Sequence, residues 1–248
     1  MEVPTLAFDL RGPFGHYKKI FATTSALSYP IPVKTSLYGL LGAVLGLSKA
    51  DNAYLKTFGQ GKCRIAIELR APVRMQRIPV NLRPKFGSLT VAGKSNPDNR
   101  KPTLMEFVRN PHYRIYVQHE DEETYGRLAD LLRAGKSTYT PTLGLANMLA
   151  QLTWVGEAPA VPVASTGFTR VDSVIPRSRL IKLDTEQAYA AETQLMEVGQ
   201  YAMEMLPSRD VTVRDDIIFE RNGSPVSAKV KDVMSWQCGE LSRQIILF

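Results

Sequence analysis

The sequence predicts an α+β fold: a ferredoxin-like or RRM-like βαββαβ domain with a long basic insertion between strands two and three, followed by a smaller mixed carboxy-terminal region. Three observations predict it. The patterned segments run strand, helix, strand, strand, helix, strand, which is the split βαβ order. About thirty Lys- and Arg-rich residues stand where a short hairpin would join the second and third strands. The 248 residues are 44% hydrophobic and 22% charged, an ordinary composition for a folded chain that can bury a substantial core.

Taken in order, Leu6, Phe8 and Leu10 alternate with Thr5, Ala7 and Asp9, so residues 5–11 read as a half-buried strand ending at Gly12-Pro13. Leu37, Leu40, Leu41, Val44 and Leu45 recur at helical spacing, with Pro32 marking the start and Thr35 or Ser36 as N-cap. Gly39, Gly42 and Gly46 lie on or beside that stripe. Each glycine inside a helix costs roughly 0.5–1 kcal/mol relative to Ala, so three predict a backbone packed closely on a sheet. Ile65, Ile67 and Leu69 alternate with Arg64, Ala66, Glu68 and Arg70 to give a second strand over 64–70 with a charged outer face. Residues 72–102 read as an irregular stretch broken by Gly87, Gly93 and Asn96-Pro97. Residues 104–109 and 113–119 read as strand with a kink at Asn110-Pro111.

The second helix is announced by Glu120 to Glu123 at its start, by Tyr125, Leu128 and Leu132 on one face, and by Arg133, Gly135 and Lys136 at its end. A turn over 139–144 and a strand over 151–163, interrupted by Gly156, Pro159 and Pro162, complete the unit. Beyond it, 171–183 reads as extended, 185–205 as helical and 217–230 as a hairpin around Asn222-Gly223. The expected division is therefore 1–164, with its insertion at 72–102, and 165–248.

Charge and placement suggest an anionic partner. Lys and Arg total 31 against 24 Asp and Glu, a net charge of +7, which favours a polyanion. His16, Tyr17, Lys18, Lys19, Tyr29 and Lys34 gather just before the first helix, whose N-terminus attracts phosphate through its dipole and unpaired N–H groups. The insertion carries Arg74, Arg77, Arg83, Lys85, Lys94, Arg100 and Lys101 against the single acid Asp98. Cys63 and Cys238 alone form neither a disulfide framework nor a zinc ribbon, so no metal and no cofactor are expected. There is no Walker loop and no GxGxxG after a strand. No signal peptide or bilayer-length apolar run is read, which leads to the expectation of a cytoplasmic protein without a membrane partner. The aromatic run of a conventional RRM is absent, so loops rather than an open sheet face are expected to bind.

FDLRGPFGHYKK, the SYPIPVKTSLYGLLGAVLG stretch and TYTPTLGLANMLAQLTWV together resemble the CRISPR-associated protein five family of the RAMP superfamily. The resemblance runs over about residues 3–163 and is closest to an I-B-like subtype. It implies a non-catalytic subunit of a type I Cascade complex that caps the 5′ handle of the guide RNA (crRNA) in antiviral defence. Its implied partners are crRNA, the backbone and large subunits and, indirectly, target DNA. The insertion would be the thumb that wraps RNA, and the residues before the first helix would lie near the handle. One branch of the family cuts precursor RNA, a metal-independent reaction that needs a general base and a cation near the phosphate. If this chain belonged to that branch, His16, His112 and Lys19 would be its catalytic candidates. His119 precedes an acidic cluster and is a poor one. The expectation is binding without cutting.

Overall fold

The computed structural model describes residues 3–19, 26–82, 90–91, 94–95, 101–164 and 167–248. The first half contains β1 (Val3–Arg11), β2 (Phe14–Gly15), β3 (Tyr17–Lys18), β4 (Ser28–Tyr29), α1 (Lys34–Leu45), α2 (Ala53–Phe58) and β5 (Cys63–Leu69). It continues with β6 (Met75–Leu82), β7 (Thr90–Val91), β8 (Lys94–Ser95), β9 (Lys101–Arg109), β10 (His112–His119), α3 (Glu122–Arg133) and β11 (Gln151–Pro162). Then come β12 (Thr169–Val171), β13 (Ile175–Pro176), β14 (Leu180–Leu183), α4 (Thr185–Ala190), β15 (Leu195–Met205) and β16 (Val211–Glu220). The last strands are β17 (Val226–Val230), β18 (Val233–Cys238) and β19 (Leu241–Ile246).

A six-stranded sheet in the order β19-β18-β11-β1-β10-β5 organises this mixed α+β chain, and every neighbouring pair in it whose register is described is antiparallel. Alternation in β1 decides its two faces. Phe8 stands beside Ile115, and Ile115 beside Ile67; with Leu6, Leu10 and Val117 they join Leu37, Leu41, Leu128 and Leu132 of the helices in the main core. On the other face Ala7, Ala66 and Tyr116 pack with Trp236. Tyr116 donates to the buried Glu68 at 2.6 Å, and Glu68 also accepts from Arg70 and Arg243.

α3 forms as its pattern predicts: Asp121 caps it by accepting from Thr124 N–H at 2.9 Å, and Tyr125, Leu128, Ala129 and Leu132 are buried. α1 starts differently. Its N-cap is Val33, with no side-chain cap, and Thr35 and Ser36 lie inside the helix. The Ser36 hydroxyl donates back to the Val33 carbonyl at 2.7 Å. The glycines also have other reasons than a sheet. Gly46 is the left-handed C-cap, and a Cβ on Gly42 would stand 2.8 Å from Cβ of Tyr54, so the close neighbour is α2.

The insertion is more regular than its breakers suggest. β6 pairs with β9 from Met75–Val108 to Leu82–Lys101, and β9 also pairs with β2. The residues read as strand over 104–109 therefore belong to this hairpin and not to the main sheet. Pro79 hid the strand: β6 is an edge strand, where a missing ladder N–H is tolerated.

Two sequence readings in the last third are corrected. Of the expected helix over 185–205, only Thr185–Ala190 is helical, and Leu195–Met205 is strand paired with β16; tertiary pairing overrides the helix-favouring Glu, Gln, Met and Leu of that stretch. The expected hairpin around Asn222-Gly223 is a turn between strands of different sheets, because β16 joins β13 and β15 while β17 joins β12 and β14. Glu220, buried at that turn, accepts from the N–H groups of Asn222 and Ser224 at 2.7 and 2.9 Å. β18 pairs with β11, so residues on both sides of position 164 share the main sheet. Both cysteines are free. Among the described residues no helix is long and apolar enough to cross a membrane, and no three His, Cys, Asp or Glu side chains cluster as metal ligands would.

Candidate RNA-binding groove

A cavity of about 840 Å³ opens at the start of α1. Chain segments far apart in sequence build it: the β3 hairpin supplies His16, Tyr17 and Lys18, α1 supplies Thr35, Ser36 and Gly39, the 140–145 loop closes one side, and β15 and β16 close the other. The loop is held by its backbone, as His16 N–H donates to the Leu143 carbonyl at 2.9 Å. At Gly144, with φ +99°, a Cβ would lie 1.9 Å from the His16 carbonyl oxygen. That approach requires glycine.

The floor is apolar, with Leu37, Leu40, Leu143, Met205 and Val211, and the rim is basic. Lys18, Arg209 and Arg214 are exposed there, and none of the three makes an ion pair among the described residues. Asp210, the acid of the rim, accepts from the Ser208 hydroxyl at 2.6 Å. Cations around an apolar floor can hold phosphates and the face of a base together. Sequence reading missed Arg209, in a Ser-Arg-Asp turn that carries no periodicity, Arg214, on an exposed stretch of β16, and the 140–145 side of the groove.

Several residues expected to bind RNA serve the groove from behind. Tyr29 is fully buried, its hydroxyl donates to the Gln200 carbonyl at 2.5 Å, and burial pushes its pKa up to about 12, opposed by Arg214. Tyr17 is buried as well, with its hydroxyl pKa raised by desolvation. Lys34 is 4% exposed and pairs with Glu204 of β15 at 2.8 Å. Lys19 Nζ sits 5.8 Å from the Tyr29 ring centre. In the insertion, Arg74 and Arg77 are exposed, and Arg77 pairs with Glu106 at 3.3 Å. Lys94 and Lys101 lie in β8 and β9, while Arg83, Lys85 and Arg100 fall outside the described residues.

The histidines gain partners that their sequence neighbours do not supply. His16 is 5% exposed and its Nδ1 lies 2.8 Å from the Glu106 carbonyl; a carbonyl only accepts, so Nδ1 bears a hydrogen, and in the neutral ring the lone pair is on Nε2. His112 Nε2 lies 3.5 Å from Asp9, which Arg114 grips at 2.8 and 3.2 Å. Burial raises the Asp9 pKa, and Arg114 with His112 more than reverses this, leaving it below the usual value. His119 is buried, its Nδ1 accepting from Asp121 N–H at 3.0 Å and its Nε2 lying 3.0 Å from the Thr57 carbonyl. His16 lines the groove and His112 does not.

A family model described as CRISPR-associated protein (Cas_Cas5) matches residues 5–215. No curated protein matches. Among solved structures, a chain of a "CRISPR RNA-guided surveillance complex" is similar at 15% identity and a TM-score of 0.53, over 91% of this chain and 92% of that one. A CRISPR protein from Archaeoglobus fulgidus matches at 10% identity and a TM-score of 0.48, over 98% and 99% of the two chains. The family match takes in β1, the β3 hairpin, α1, the insertion and the 140–145 loop, the segments that build most of the groove. This chain belongs to the CRISPR-associated protein (Cas_Cas5) family.

Proposed function

We propose that this chain is a non-catalytic, RNA-binding subunit of a type I, I-B-like CRISPR effector complex, and that its groove holds the 5′ handle of crRNA. The four strands β1, β5, β10 and β11 with α1 and α3 are read as a ferredoxin-like βαββαβ unit, in the spatial order β11-β1-β10-β5, and the β6–β9 hairpin as the thumb. The backbone and large subunits are the protein partners, and target DNA is met through them. One observation carries the reading: Lys18, Arg209 and Arg214, which make no ion pair among the described residues, stand beside apolar groove residues at a helix start, in a chain of this family. Single-stranded RNA is held by that combination of phosphate contacts and base stacking.

Arg209→Ala with Arg214→Ala is expected to weaken binding of a repeat-derived RNA and to flatten its salt dependence, each lost phosphate contact removing about 0.7 from the slope of log K against log salt. Equilibrium binding from low to high salt measures this. An unchanged affinity and slope would refute the groove as the RNA site.

The fixed tautomer of His16 favours a second reading, a metal-independent endoribonuclease with His16 Nε2 as general base and Lys18 or Lys19 near the phosphate. Binding without cutting is preferred because, among the described residues that line the groove, His16 is not joined by His112, so the two candidate histidines are not brought together there as base and acid. Precursor RNA incubated with the protein and EDTA is expected to stay intact. Site-specific cutting that disappears with a 2′-deoxy substitution at the cut site, and with His16→Ala, would make the chain a nuclease; dependence on His112 instead would place the reaction at the Asp9 pair.

A further inference from the structure

The sheet β12-β17-β14 turns its inner face, with Val171, Val226 and Ala228, into a small core shared with Ile175, Ile218, Val233 and Ile246 of neighbouring strands. Its outer face is cationic. Arg170 stands opposite Ser227, and Lys182 directly opposite Lys229, so by alternation along β17 these four residues share one side. Arg170, Lys182 and Lys229 are exposed. Two lysines opposite each other, roughly 5 Å apart at Cβ, repel and destabilise the strand pair. Neither makes an ion pair among the described residues. Three nearby acids are engaged elsewhere, as Asp184 caps α4 and accepts from Ser227, Asp172 accepts from Gln244 N–H, and Asp232 pairs with Arg179; the exposed Glu186 of α4 pairs with neither lysine.

Lysine on an edge strand often serves to block edge-to-edge pairing. That accounts for Lys182 in β14 but not for Lys229, because β17 is the central strand. Around the cations lie exposed apolar side chains: Phe168 at 50%, Ile181 at 51% and Tyr189 at 89%. Phe168 precedes Arg170 by two residues, and Tyr189 belongs to α4, whose cap Asp184 bonds Ser227. None of these residues lines the groove.

We propose that the outer face of β12-β17-β14 is a second binding surface for single-stranded nucleic acid, separate from the groove. Phosphates would relieve the repulsion between Lys182 and Lys229, and the exposed rings of Phe168 and Tyr189 offer surfaces on which successive bases can stack.

The decisive variant is Lys182→Glu, which turns the repelling pair into an attracting one. It is expected to leave the melting temperature unchanged or higher while lowering affinity for single strands, about fivefold per lost phosphate contact at roughly 0.1 M salt. Purified full-length chain is titrated with fluorescent oligo-dT and oligo-rU of about a dozen nucleotides and with polyglutamate, in the parent and in the Arg209→Ala, Arg214→Ala background. Loss for either oligonucleotide supports the proposal, and the DNA and RNA arms say which strand is preferred. Unchanged affinity for both in both backgrounds overturns it, and so does a loss confined to polyglutamate, which would give the face to an acidic protein. Lys182→Gln separates loss of the cation from the new ion pair. Failure of the groove variants alone leaves this surface standing, because the two sites share no residue.

Discussion

Gly144→Ala is expected to destabilise the protein by roughly 3 kcal/mol or more, a large effect for one methyl group. Two causes act together. The residue has φ +99°, and its Cβ would lie 1.9 Å from the carbonyl oxygen of His16 and 2.9 Å from the carbonyl carbon. Neither is the flexible end of a side chain, and the two backbones are tied by the His16 to Leu143 hydrogen bond. Relief must therefore come from moving the 140–145 loop away from the β3 hairpin, which opens the groove. The melting temperature should fall by about 6–12 °C, using roughly 2–4 °C per kcal/mol for a chain of this size, and RNA retention should fall with it. Gly126→Ala is the control. It lies inside α3 with nothing within 4 Å of its would-be Cβ, so a gain of about 0.5–1 kcal/mol is expected. A Gly144→Ala protein that melts like the parent would refute the close-approach account.

The same loop shows where sequence reading reached and where it stopped. The helix at Tyr125, Leu128 and Leu132 was legible because one side of it meets water and the other meets core, which writes a period into the residues; the strand at Leu6, Phe8 and Leu10 is buried on both faces, and it was legible because the small or polar Thr5, Ala7 and Asp9 line its second face. Of the insertion hairpin, β9 was legible in part, over 104–109, and β6 was not. β6 is exposed along most of its length and contains Pro79, so burial leaves little alternation there and the proline reads as a break. β15 was lost to propensity, since its Met, Glu and Leu favour helix and only its partner β16 decides otherwise.

The groove was half legible for a related reason. Clustering of cations and rings before α1 located the right stretch, but sequence proximity says nothing of which side chains turn inward. Tyr29 and Tyr201 are buried, and their hydroxyls reach the backbone of Gln200 and Pro32, tying β15 to the entry of α1. Arg209 and Arg214 reach the rim only because β15 and β16 fold against α1. His112 and Asp9, 103 positions apart, meet because β1 and β10 are neighbours, with Asp9 beside Arg114 and Arg11 beside His112.

Glu204→Ala is expected to cost about 3–5 kcal/mol, the range found when one partner of a buried pair is removed. The Lys34 and Glu204 side chains are 5% and 16% exposed. Glu204 Oε1 accepts from Lys34 Nζ at 2.8 Å and from the Tyr38 hydroxyl at 3.1 Å, while Oε2 accepts from Gln60 N–H at 3.1 Å. Losing the carboxylate leaves the Lys34 ammonium in the core without its acceptor, and the Tyr38 hydroxyl with only the longer contact to the Cys63 carbonyl at 3.4 Å, at the first turns of α1. Lys34→Met with Glu204→Leu removes both charges and should be much milder, so a double-mutant cycle on melting or denaturant unfolding should give a large coupling between the two sites. RNA binding decides what Lys34 is for. If it is a strut behind the groove, Lys34→Met with Glu204→Leu should keep most of the affinity and its full salt slope, whereas Arg209→Ala with Arg214→Ala lowers both. If the double variant folds well yet its salt slope falls by about 0.7, Lys34 touches a phosphate and the strut account fails.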